Sequence, residues 1–432
     1  MANNCEKINP HLGAKAEGEL DAIMRLIYTS IKANLPVHKT QHPRYENAIM
    51  VIVTNVLCAN EQNARLLVPK NRKYWLAQTQ SSYGNSALGY TVMINSLRWL
   101  QDAGWIASMY DSSSAMSDDA NDSSANSKHY LKASSQLLSI TKHITLPSEL
   151  NYGGNLLCVL RDNKVLRGDL SLSKLADIPA NISKTQHDAV ETFVRRLNNY
   201  VNSLNPCFDN QPANLINSFY LRIFNFPTNS EDTEFKAGGY YHNHWIQKLQ
   251  HQDLKLFKLD ACSVVELSFE GSLLALLYAQ QGERIPIKNE EEYFDTVPDG
   301  FTNQSFMNKL TNELLCKNNI IVRKPSFVEQ ARPTIKWSKL IGQLFTLHPV
   351  LKTHAYTGIG KTLMFHSSQI YTYVMDDLML RNIPFAYYNN SLLTTEQYEG
   401  LVADTMKDVF SFYTKEQFGQ AIFSDIEHVP HR

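Results

Sequence analysis

Nowhere does the chain approach the ~20 consecutive apolar residues that a membrane-spanning helix needs. Its start, MANNCEKINPHLGAKAEGEL, has no apolar secretory core. The six cysteines (Cys5, Cys58, Cys158, Cys207, Cys262, Cys316) are scattered and never form a C-x-x-C pair. That spacing argues against a zinc site and suits reduced thiols better than a disulfide framework. Neither sign of charge prevails: 41 Lys and Arg stand against 42 Asp and Glu, a net charge of -1. A uniformly basic nucleic-acid coat is excluded, whereas a local basic face is not. These absences predict a cytoplasmic protein without a membrane partner.

At 432 residues the chain is long for one domain, and about 150 residues per domain gives a soft expectation of roughly three units. Hydrophobic residues at 43% and aromatics at 10% suffice for a sizeable core, which excludes wholesale disorder. Leu20, Ile23, Leu26, Ile27 and Ile31 recur at helical spacing. The run AIMVIVTNVLCAN (Ala48–Asn60) reads as a buried helix, since Ala, Met, Leu and Cys dilute its β-branched residues.

In LGYTVMINSLRWLQDAGWIASMYD, residues Tyr90, Met93, Ile94, Leu97 and Leu100 form one apolar stripe. Gly104 sits where a left-handed cap closes a helix, and Trp105 and Ile106 open a strand. Thr91, Asn95 and Arg98 occupy the other face. Helix, glycine and strand follow the order of a winged helix-turn-helix, with an amphipathic helix on a plain hairpin as the blander alternative. Residues 112–127, almost all Ser, Asp, Asn and Ala, are expected to be a disordered wing or insertion, and Tyr130 and Leu131 to begin the returning strand. VPKNRKYW adds Lys70, Arg72 and Lys73 beside Tyr74 and Trp75, a cluster that suits phosphate contact or, more commonly, a solvated loop.

NYGG (Asn151–Gly154) reads as a linker, dividing a helical and winged-helix-like unit (1–150) from a second unit (151–432). A helix is expected from about Gln186 to Leu204, with Arg195 and Arg196 outward, and FYLRIFNF (Phe219–Phe226) alternates like a strand. Gly238 and Gly239 mark a turn or a close backbone approach. In SVVELSFEGSLLALLYAQQG, a strand through Val264, Val265 and Leu267 stops near Gly271, where a leucine-rich helix begins. Glu266, Ser268 and Glu270 share one face of that strand by its period of two. A strand delivering polar residues to a helix start is a common way to present a metal or phosphate site; carboxylates at a solvated strand edge are the plain alternative.

Three further strings carry less. AYTGIGKT fits a relaxed P-loop, but the preceding LHPVLKTH is a poor buried strand, which argues against ATP binding through Lys361 and Thr362. In YVMDDLML the flanking apolar residues follow helical spacing, so Asp376 and Asp377 read as the polar side of a helix rather than as polymerase-type metal ligands. His242 and His244 form an H-x-H pair without an obvious third ligand.

The order of segments from about Gln78 to Tyr413 resembles the polymerase-like proteins of plasmids, phages and integrated mobile elements. Those proteins pair an N-terminal winged helix with a palm and fingers related to family-A DNA polymerases. The resemblance is carried by GYTVMINSLRWLQDAGWI, the LRD of Leu160–Asp162, RIFN, GGYYHNHW, VVELSFEGSLLALLYAQQG, MNKLTNELL, GIGKTLMFHSSQI and NIPFAYYNNSLL. It implies a catalytic aspartate within E-L-D-[YF]-S-G-L-H, where this chain has Ser268 with Glu266 and Phe269 retained. It implies a second carboxylate in a His-Asp-Ser motif, where Asn389, Asn390 and Ser391 stand. Ser367 replaces an expected helix aspartate, Tyr240 replaces an arginine, and Lys309 falls where the family carries a lysine facing the triphosphate.

Serine and asparagine are neutral, whereas paired Mg²⁺ ions need anionic oxygens. The resulting expectation is an α+β protein: a helical, winged-helix N-terminal region, then a palm with an antiparallel sheet and helical fingers. It would be a catalytically inactive, polymerase-like, nucleic-acid-binding protein of a mobile element. DNA or RNA would be held by Lys70, Arg72, Lys73, Asn95, Arg98, Arg222 and Lys309. The rivals are an active nucleotidyltransferase using Glu266 and Glu270 with Mg²⁺, and a protein-interaction module without nucleic acid.

Overall fold

The computed structural model describes residues 5–32, 36–69, 72–80, 85, 87–110, 129–153, 156–161, 175–176, 178, 182–208, 211–212, 215–226, 234–269, 271–286, 303–321, 323–331, 336–422 and 424–429. The chain opens with β1 (Cys5–Lys7), β2 (Leu12–Ala14), α1 (Glu19–Lys32), α2 (His42–Glu61), β3 (Arg65–Leu67), α3 (Arg72–Gln80) and α4 (Tyr90–Asp102). There follow β4 (Ile106–Tyr110), β5 (His129–Ala133), α5 (Ser135–Thr141), α6 (Leu146–Glu149), β6 (Leu150–Tyr152), β7 (Leu157–Arg161), β8 (Leu175–Ala176) and α7 (Lys184–Ser203). Next come β9 (Cys207–Phe208), β10 (Gln211–Pro212), β11 (Leu221–Phe226), β12 (Gly238–His242), β13 (Phe257–Leu259), β14 (Cys262–Phe269) and α8 (Ser272–Gln280). The last run is α9 (Asn303–Cys316), α10 (Ser326–Ala331), α11 (Trp337–Leu347), α12 (Pro349–His354), α13 (Gly360–Leu380), β15 (Phe385–Tyr388), β16 (Ser391–Thr395), α14 (Glu399–Phe418) and β17 (Ile426–Val429). The protein is thus mixed α+β.

Among the described residues the largest sheet is antiparallel, in the order β10-β9-β13-β14-β16-β15, with β17 also pairing with β14. A second sheet runs β12-β11-β7-β8, in which β11 and β7 are parallel. In the N-terminal region a sheet ordered β1-β3-β5-β4 packs beside α2 and α4.

The local chemistry explains the sharper boundaries. Pro43 opens α2, where its missing N–H costs nothing. Residues Val51 through Ala59 of α2 are all buried, so this helix is covered on every side. Its interior Asn55 is satisfied by Asn9, accepting from the Asn9 N–H at 2.8 Å and donating to the Asn9 carbonyl at 3.0 Å. Helix α4 ends in a Schellman motif: the Trp105 N–H reaches the Leu100 carbonyl and the Gly104 N–H the Gln101 carbonyl, with Gly104 at φ +77.

The NYGG segment is not simply a linker. Leu150–Tyr152 forms a strand on Leu12–Ala14, and Tyr152 is buried against Phe219. The 112–127 stretch lies outside the described residues.

Candidate functional site

Two places gather the residues that the sequence singles out. The first is one corner of the large sheet. Strand β14 runs antiparallel to β16, with Glu266 opposite Leu393 and Leu267 opposite Leu392. Continuing that register carries Ser268 and Phe269 to the level of the turn between β15 and β16. Asn389 and Asn390 make that turn, at φ +45 and +68, the left-handed pair that a two-residue hairpin demands. Ser268 and Asn390 therefore share one corner of the sheet, and on the other edge of β14 Ser268 pairs with Glu427.

Tyrosines fill this corner. The Tyr371 hydroxyl, from α13, donates to the Asn390 carbonyl and lies against the Phe269 backbone. The Tyr387 hydroxyl donates to the Asn390 Oδ1 at 2.6 Å, and the Tyr220 hydroxyl to the Tyr387 carbonyl at 2.8 Å. Tyr240 is buried beside Ser367. Burial pushes the hydroxyls of Tyr220, Tyr240, Tyr371 and Tyr387 well up, so they are neutral hydrogen-bond donors across physiological pH.

Glu266 is a buried carboxylate, not a solvated edge group: Oε1 accepts from the Ser391 hydroxyl at 2.7 Å, and Oε2 lies 3.5 Å from His251 Nδ1. Glu270 lies outside the described residues. Among the described residues no three His, Cys, Asp or Glu side chains converge closely enough to hold a metal ion. Ser268 is neutral and both oxygens of Asn390 already accept from tyrosines. This donor set does not fit the pair of Mg²⁺ ions that the resemblance implies.

The other strings resolve plainly. Asp376 pairs with Arg196, and Asp377 with Arg381 at 3.0 Å, both on the outer side of α13. Residues 349–354, before the GIGKT string, are helical, so no strand leads into it. His244 is fully buried, stacked on Tyr220 with ring centroids 4.3 Å apart, and accepts from the Ile246 N–H. Burial lowers its pKa to about 3, and that of His242 to about 4.

The second place is on the N-terminal region. Arg44 and Tyr45 of α2, Arg72 of α3 and the start of α4 line a recess of about 350 Å³. Gly89 caps α4 without a side chain, and the first helical bond runs from the Met93 N–H to the Gly89 carbonyl. The N–H groups of Tyr90, Thr91 and Val92, which line the recess, thus lie outside the helical ladder. Among the described residues no carboxylate lines it. Further along α4, Asn95 reaches the Tyr45 hydroxyl at 3.5 Å and accepts from exposed Arg98 at 2.6 Å.

Arg72 and Lys73 are therefore helical rather than part of a loop, and both are exposed. Lys70 lies outside the described residues. Tyr90 sits at the recess rim, 36% exposed, and not within the apolar stripe. Arg44 was not legible in the sequence as a partner of Arg72, because only tertiary packing brings them together.

Arg222 corrects an expectation outright. Only 1% exposed, its Nε donates to the Gly239 carbonyl at 2.9 Å, and its guanidinium lies 5.1 Å from the rings of Phe224 and Tyr241. Both faces of β11 are covered, so this cation braces the core and is not presented to a nucleic acid. Lys309 is exposed, with its Nζ 4.7 Å over the Phe327 ring.

Compared with known protein families, curated proteins and solved structures, the chain matches none.

Proposed function

We propose that the protein binds nucleic acid, in the service of a mobile element's replication, its control or conflict between elements, and that its polymerase-like core does not turn over nucleotides. The observation that carries the binding reading is the recess where Arg44, Arg72 and the uncapped start of α4 converge, with no carboxylate among the described residues. Two guanidiniums and free N–H groups are complementary to phosphate, and Asn95 and Arg98 extend the same face along α4, as a winged-helix reading requires. The loss of turnover is supported by the neutral Ser268 and Asn390 and by the tyrosines that occupy the oxygens of Asn390.

Fluorescence anisotropy with labelled duplex and single strands tests the first part. With about three phosphate contacts, affinity falls roughly 40-fold between 50 and 200 mM salt. Replacing Arg44 and Arg72 together by alanine flattens the salt slope by about two contacts. Affinity indifferent to salt, or to both replacements, overturns the reading. Primer extension with Mg²⁺ or Mn²⁺ and all four nucleotides tests the second part, and template-dependent incorporation refutes it.

A further inference from the structure

A second cleft, of about 540 Å³, opens between the β2–β6 pair and α7. Its volume falls among those of small-molecule sites. Part of its wall is aromatic, with Tyr152 and Phe219 packed at a ring distance of 5.0 Å. The rest combines five asparagines with Leu150, Leu156, Thr145, Ser203 and two cations. Asn198, Asn199 and Asn202 recur along one face of α7, although asparagine is a poor helix former. Two of them have structural work: Asn198 exchanges hydrogen bonds with the Tyr220 backbone at 2.6 and 3.1 Å, and Asn202 donates to the Ser218 carbonyl at 3.0 Å.

Asn199 has no such task. Together with Asn151 and Asn205 it lines the cleft, exposed, its side chain held by no hydrogen bond among the described residues. Lys15, also exposed, makes no ion pair among the described residues, whereas Arg195 is shared between Glu191 at 3.0 Å and the Tyr152 carbonyl at 3.3 Å. Among the described residues no carboxylate lines the cleft.

We infer that this cleft binds a nucleotide unit. An amide that donates and accepts at once matches the edge of a base, the aromatic wall offers it an apolar contact, and Lys15 receives the phosphate. The unit is either a free nucleotide or an unpaired nucleotide of a single strand. The site is remote in sequence from the α4 recess, so the inference stands or falls separately from duplex binding.

Calorimetric titration of the full chain tests it, using AMP and CMP beside adenosine, which lacks the phosphate, and ribose 5-phosphate, which lacks the base. At least one monophosphate binds, and both fragments bind about tenfold more weakly or worse. Lys15→Ala weakens the monophosphate about tenfold but spares adenosine, while Asn199→Ala weakens both. Thermal melting stays unchanged, since both side chains are exposed. Replacing Arg44 and Arg72 leaves AMP binding intact. A six-nucleotide single strand that binds more tightly than AMP and competes with it identifies the strand as the source; equal or weaker binding identifies the free nucleotide. No heat from either monophosphate at millimolar concentration, or affinity unchanged in both variants, overturns the inference.

Discussion

At the scale of single residues, burial decides what an ionisable side chain contributes. His244 is stacked on Tyr220 in the core, and its pKa of about 3 lies below the 6.5 of a solvated imidazole. Between those values the unfolded chain takes up a proton that the folded chain refuses, so stability falls as pH drops from 6.5 towards 3. Where the unfolded imidazole is fully protonated, this residue alone contributes a slope of about 1.4 kcal/mol per pH unit. Urea titrations between pH 5.5 and 4 are expected to show that slope reduced by this amount in His244→Phe, which retains a ring to stack on Tyr220. An unchanged slope places the acid sensitivity elsewhere. Arg222 teaches the same lesson about legibility. In FYLRIFNF an arginine on an alternating strand reads as outward, yet the strand is covered on both sides, and the Gly239 carbonyl, the Ser368 hydroxyl and the rings of Phe224 and Tyr241 make a buried guanidinium tolerable.

At the scale of elements, glycines set apart close approach from mere flexibility. Gly239 has φ +90, and a Cβ there lies 2.6 Å from Ser368 Oγ and 2.9 Å from a ring carbon of Phe224, both in packed elements. Gly239→Ala is expected to destabilise by about 2–4 kcal/mol, from left-handed strain plus overpacking. Gly342, on the exposed face of α11 with nothing within 4 Å of a Cβ, gives the opposite sign: Gly342→Ala stabilises by about 0.5–1 kcal/mol. Paired urea midpoints check both signs. Helix α4 and the strand-to-helix passage from β14 into α8 were readable because apolar periodicity and a terminal glycine mark them locally. Strand β6 was not. Three residues beside a double glycine carry no period of their own, and their strand character comes from Leu12–Ala14, far back in the chain.

At the scale of the molecule, the two regions separated in the sequence reading at residue 150 share one hydrophobic core that runs from Ile8 to Ile422. The Asn9 side chain, tied to Asn55 of α2, also donates to the Ile216 carbonyl at 2.9 Å. The Gly153 N–H, which donates to the His11 carbonyl at 2.9 Å beside the β2–β6 pairing, adds a second tie. Unfolding is therefore expected to be concerted. Trp75, Trp99 and Trp105 report on the first region and Trp245 and Trp337 on the second. Tryptophan-to-phenylalanine sets that silence one region or the other should give coincident urea midpoints. Separate midpoints show independent units. That Ser268 and Asn390 belong to one site is what the resemblance implies, whereas the tyrosines around them carry no sequence signal, since their roles rest on hydroxyl directions that no spacing encodes.

The hub position of β14 has a consequence for how the polypeptide is made. Glu266 and Ser391 are bonded partners 125 residues apart, and the opposite edge awaits a still later segment. During translation β13 can pair only with Cys262 and Ser263, so residues 264–269 of the nascent strand must stand with both edges unzipped while their partners are still being polymerised. In that interval it is a sticky template for misassembly, and a chaperone's need for this chain should be greatest then.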